Sequence, residues 1–112
     1  MLLRKNRFSL GNVRDRIIFA EGKEQLSLTV DESPKKLMTG MIAVREKLNA
    51  ITDETQDATD AVLSMAIVIF GKEQAEKIFE FYNRNPVNVL RICEKYFTER
   101  LVDKIAKAQK KR

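Results

Sequence analysis

The sequence has no histidine, no tryptophan and one cysteine, with two prolines and four glycines in 112 residues. Lack of histidine removes the commonest general base and the commonest metal ligand. With Cys93 as the lone thiol, a zinc site of cysteine and histidine is excluded, and so is an internal disulfide. The glycines are isolated, so no glycine-rich phosphate loop exists. The longest greasy run, residues 61–70, has Ser64 as its single polar side chain. It is half the roughly 20 apolar residues that a membrane helix needs. No apolar stretch follows the basic opening MLLRKNRFSL, so no secretory signal is read and a cytoplasmic protein is expected.

What remains is an ordinary globular balance, 44% hydrophobic and 33% charged. The length suits one domain and allows a core without disulfides. Charge is uneven: net +4 over residues 1–16, −4 over 17–90 and +5 over 91–112. Basic ends open two readings, solvated charge that complements a helix dipole or attraction to nucleic acid. The tail KIAKAQKKR brings Lys104, Lys107, Lys110, Lys111 and Arg112 but no aromatic for base stacking. It supports phosphate attraction without sequence preference.

The patterning predicts an α+β chain, mostly α, with an N-terminal β-hairpin packed on a four-helix bundle. Residues 1–14 read as a basic mobile arm, 15–109 as one globular domain and 110–112 as a basic tail. Ile17, Phe19, Leu26, Leu28 and Val30 alternate with other residues around Gly22, which places the hairpin at 15–31. Ser33 and Pro34 open a helix over 34–51, with Leu37, Met41, Val44, Leu48 and Ile51 on one face. Asp53 and Gln56 resemble a capping box that opens a second helix, 53–70. Its apolar end calls for neighbours on most sides. Gly71 then separates it from a third helix over 72–83, and Asn85 with Pro86 starts a fourth over 86–108.

Nothing in this inventory points to catalysis or to a cofactor. Cys93 falls in the stripe Leu90, Cys93, Phe97, Leu101, Ile105 and reads as core. Asp53, Glu54, Asp57 and Asp60 read as acids at a helix N-terminus rather than as a metal site. The sharper lead is a second apolar surface. Ala75, Ile78, Phe79 and Tyr82 share one face of the third helix, with Phe81 outside it. Val89, Ile92 and Tyr96 lie well away from the main stripe of the fourth. Either this helix packs against two neighbours, or Phe81, Tyr82, Val89, Ile92 and Tyr96 form a docking surface for a partner. Met38, Met41 and Met65 belong either to plain core or to an adaptable groove.

The stretch IFGKEQAEKIFEFYNRNP, followed by a long helix with a basic end, resembles the tail assembly chaperones of long-tailed bacteriophages and prophages. The matching residues are Phe70, Gly71, Glu73, Ile78, Phe81 and Tyr82, and the basic arm lies outside the pattern. The resemblance implies a non-enzymatic protein that binds the tape measure protein in the bacterial host cytoplasm and is absent from the mature virion. It also implies self-association and a longer product made by frameshifting, for which Lys110 and Lys111 allow a run of adenines. Two other classes compete with it. One is another phage structural or connector protein that oligomerises through its apolar helix faces, and the other is a small basic nucleic-acid-binding protein.

Overall fold

The computed structural model describes residues 11–51 and 58–110. These residues form an α+β structure, mostly helical, with the hairpin at the N-terminal side. Strands β1 (Val13–Glu21) and β2 (Glu24–Glu32) pair antiparallel, in register from Val13 opposite Glu32 to Glu21 opposite Glu24. Strand alternation follows the sequence pattern. Val13, Ile17 and Phe19 of β1 and Leu28 and Val30 of β2 are buried on one face. Arg14, Arg16 and Ile18 face solvent. Pairing starts at Val13 rather than at 15, so Val13 and Arg14 belong to the strand and not to the arm. Of the rest of the expected arm, residues 1–10 lie outside the described residues, and Asn12 donates from its side chain to Asp31.

Helix α1 (Pro34–Asn49) begins as the sequence predicts, with Ser33 Oγ accepting from the Lys36 amide at 3.2 Å and Pro34 at the first position. Helix α2 (Thr59–Phe70) opens later than the expected 53, after Ala58, which makes no side-chain cap. The capping box of Asp53 and Gln56 lies outside the described residues, as do Glu54 and Asp57. Ser64, the polar residue within the greasy run, bonds back to the Asp60 carbonyl at 3.0 Å and accepts from Lys47 Nζ at 3.2 Å. The run around it is buried at six of the twelve positions of α2. Gly71 ends α2 at φ 86 and ψ 161, a region that side-chain-bearing residues avoid. Helix α3 (Lys72–Phe81) closes with a Schellman turn. The Arg84 amide donates to the Phe79 carbonyl at 2.7 Å, and the Asn83 amide to Glu80 at 3.1 Å.

The last helix contains a break in periodicity that spacing alone does not reveal. Helix α4 (Pro86–Tyr96) is capped by Asn85 Oδ1, which accepts from the Val87 amide at 2.9 Å and from the Asn88 amide at 3.3 Å. A π turn (Phe97–Leu101) follows, and then helix α5 (Val102–Lys110). The buried residues are Val89, Cys93 and Tyr96 before the π turn and Leu101, Ile105 and Ala108 after it. Each triad has ordinary helical spacing, but Tyr96 and Leu101 are five apart. A π turn takes up one extra residue, so both triads stay on one face. Thr98 Oγ1 donates to the Glu94 carbonyl at 2.9 Å, a back-bond that helps open the turn.

Among the described residues, several contacts join the hairpin to the helices, and three are specific. The rings of Phe19 and Phe70 meet edge to face at 6.0 Å. Gln74 of α3 reaches the outer edge of β2: its Oε1 accepts from the Thr29 amide at 2.9 Å, and its Nε2 donates to the Thr29 carbonyl at 2.7 Å. The side chain therefore satisfies edge groups that a further strand would otherwise take. The third contact is Asp15, held by Tyr96 and Arg100.

Candidate docking groove

The five residues expected to form a docking surface do not form one. Val89, Tyr96 and Tyr82 are buried at 0%, 5% and 8% exposure. Phe81 and Ile92 are half-buried and pack against the core. The extra residue in the π turn is the physical reason for Val89 and Tyr96. It turns their side of α4 inward and moves Leu90 and Phe97, which a regular helix would bury, to the margin. The Tyr96 ring stacks on Phe70 at 5.9 Å, and its hydroxyl donates to Asp15 Oδ2 at 2.9 Å. Burial raises the Tyr96 phenol well above its ordinary range, and the hydrogen bond to Asp15 adds to this. Burial also raises Tyr82, with the charge of Glu21 as a second cause. Phe81 rests edge-on against Tyr82 at 5.0 Å, beside a shallow hollow that holds Leu26 and Glu80.

The groove that does exist lies where Leu90 and Phe97 were displaced. It runs between α1 and the α4–π segment and has a volume of about 930 Å³. Met38, Met41, Ile42 and Leu48 of α1 form one wall, and Leu90 and Phe97 form the other. Met65 of α2 belongs to its floor and is only 3% exposed. Of the open alternatives for the methionines, Met65 belongs to the core, Met41 packs against it from the groove wall, and Met38 lies exposed on that wall. Ile42 is 57% exposed and Met38 38%. The missed signal in the sequence is Ile42, an apolar residue beside the core stripe of α1, next to Met38 and Met41. Methionine side chains are flexible and polarizable, which suits surfaces that adapt to a partner.

Of the four bases of α1, Lys35 and Lys36 line a separate hollow beside Thr39, Gly40 and Val68, and Lys47 donates to Ser64. Arg45 lines the groove from α1, and Glu94 and Lys95 line it from α4. Among the described residues, Arg45 and Lys95 are in no ion pair. In contrast, Lys104 lies 3.7 Å from Asp15 and Lys107 3.0 Å from Asp103, so these two tail lysines are engaged within the chain.

Cys93 lies at 0% exposure, and burial pushes its thiol up to about 12, the opposite of an activated thiolate. Among the described residues no group of three or more acidic or sulfur ligands is placed to hold a metal ion. Within the same residues no helix is long and apolar enough to cross a membrane. Comparison of the chain with protein-family models, curated proteins and solved structures gives no match.

Proposed function

We propose that this chain is a binding protein without catalytic activity, acting as a tail assembly chaperone for a phage or prophage tape measure protein. One observation carries the reading: a methionine-lined apolar groove about 930 Å³ in volume, open between α1 and α4. Long helix-rich clients present apolar stripes, and a groove between two helices is a standard receptor for such a stripe. The motif from Phe70 to Tyr82 supplies the link to the chaperones. In this reading the helices form a four-helix bundle beneath the hairpin, and the groove opens between its first and last members. Work in the host cytoplasm, self-association along the client and a longer frameshifted product belong to the same proposal.

Co-expression with a tape measure protein, which this reading expects to be encoded beside it, tests the reading. The client should stay soluble and co-purify, and Ile42→Asp should abolish both effects. Ile42 is exposed, so this variant should keep the helical spectrum of the wild type. An insoluble client that fails to co-purify with the wild-type chain would overturn the proposal.

A further inference from the structure

From the charge on its walls, we infer that the groove takes an amphipathic helix of about three turns whose apolar stripe is flanked by acidic residues on the side facing α1. The inference rests on the groove being the docking surface and goes further by naming what docks. Length comes first. The α1 wall runs from Met38 to Asn49. At 1.5 Å per residue that is about 16 Å, or three turns of a bound helix. Apolar side chains at every third or fourth position of such a helix meet the methionines and Phe97. Sign comes second. The α1 wall offers one charge to the groove, Arg45, which is in no ion pair among the described residues. Across the groove Glu94 and Lys95 offset each other. An acidic flank toward α1 is therefore attracted and a basic one repelled.

Two occupants within the chain fit poorly. Residues 1–10 carry Arg4, Lys5 and Arg7 and no acid. In a second copy, the acid-rich helix is α3, with Glu73, Glu76 and Glu80, but its apolar side at Ala75, Ile78 and Phe79 is already buried. Neither offers an apolar stripe with an acidic flank, and the occupant inferred here is a helix of another protein.

The test uses the full chain and two labelled helical peptides of about 14 residues. Both carry the same leucine stripe, one flanked by glutamate and the other by lysine, and binding is read by fluorescence anisotropy. The glutamate peptide should bind about fivefold tighter at low salt, the scale of an exposed ion pair, with the gap narrowing as salt rises. Arg45→Glu should invert the order, with circular dichroism confirming that the variant is folded. Equal or tighter binding of the lysine peptide would overturn the acidic flank while leaving the groove as a docking surface. Binding of neither peptide would remove the docking surface itself. A dimer that Ile42→Asp dissociates, and that blocks both peptides, would make a second copy the occupant and overturn the inference.

Discussion

At the scale of single residues, Asp15 fastens the start of the chain to its end. Its side chain is 6% exposed. The carboxylate accepts from Tyr96 Oη at 2.9 Å and from a fork of Arg100, Nε at 2.9 Å and Nη2 at 2.8 Å. Burial alone would raise its pKa, but Arg100 first, then Tyr96, the Arg16 amide and Lys104, outweigh this and hold it below its ordinary 3.8. A carboxyl with a lowered folded pKa stabilises the fold fully above its unfolded value. That contribution is lost as pH falls through the folded value. Asp15→Asn should therefore cost about 1–2 kcal/mol at pH 7, the worth of a charge-assisted hydrogen bond that stays partly wet. The gap from wild type should narrow as pH falls past the ordinary 3.8 and close below the lowered folded value. Urea unfolding at a series of pH values checks this, and a gap of constant size would show that Asp15 contributes packing rather than charge. The partners are 81 and 85 residues distant along the chain. No local pattern links them, which is why sequence reading passes over Asp15 as the one acid among the charges of residues 1–16.

At the scale of elements, the sequence is readable wherever a local signal sets the structure. Ser33 and Pro34 start α1, Asn85 and Pro86 start α4, and alternation around Gly22 marks the hairpin. The candidate site fails to emerge for a specific reason. Projecting α4 and α5 as one regular helix assigns Leu90 and Phe97 to the core and Val89 and Tyr96 to a free face. The structure exchanges those pairs through the five residues of the π turn. Thr98 is the only hint, since its hydroxyl competes for the Glu94 carbonyl. The reading carries a direct consequence. Deleting Thr98 leaves Tyr96 and Leu101 four apart, the spacing of a regular helix, so both buried triads survive. That deletion should change stability by no more than about 1 kcal/mol, while deleting Glu94 from the regular part of α4 should cost several, because it rotates buried residues out of the core. Thermal unfolding of the two variants provides the comparison, and equal losses would mean that the π turn does not serve to keep the two triads in phase.

At the scale of the whole molecule, the two walls of the groove are anchored unequally. Helix α1 buries only Leu37 and Val44 among its sixteen residues, whereas α4, the opposite wall, buries three of eleven and α2, the floor, six of twelve. What holds α1 close to α2 is the absence of a side chain at Gly40. A Cβ there would stand 2.6 Å from Val68 Cγ1 and 3.3 Å from Val68 Cβ, too close for a stiff β-branched neighbour to yield at little cost. Local stability follows buried apolar contact, so α1 should open before the rest of the fold. Native-state hydrogen exchange should give its central amides a lower opening free energy than those of α2 and α4, and Gly40→Ala should lower it further without changing α2. Under the proposed function, a loosely anchored wall lined with methionines would let one groove accept successive, non-identical stripes along a long client. Protection of α1 equal to that of α2 would contradict the unequal anchoring and leave the groove a rigid slot, fitted to a single sequence instead of a family of them.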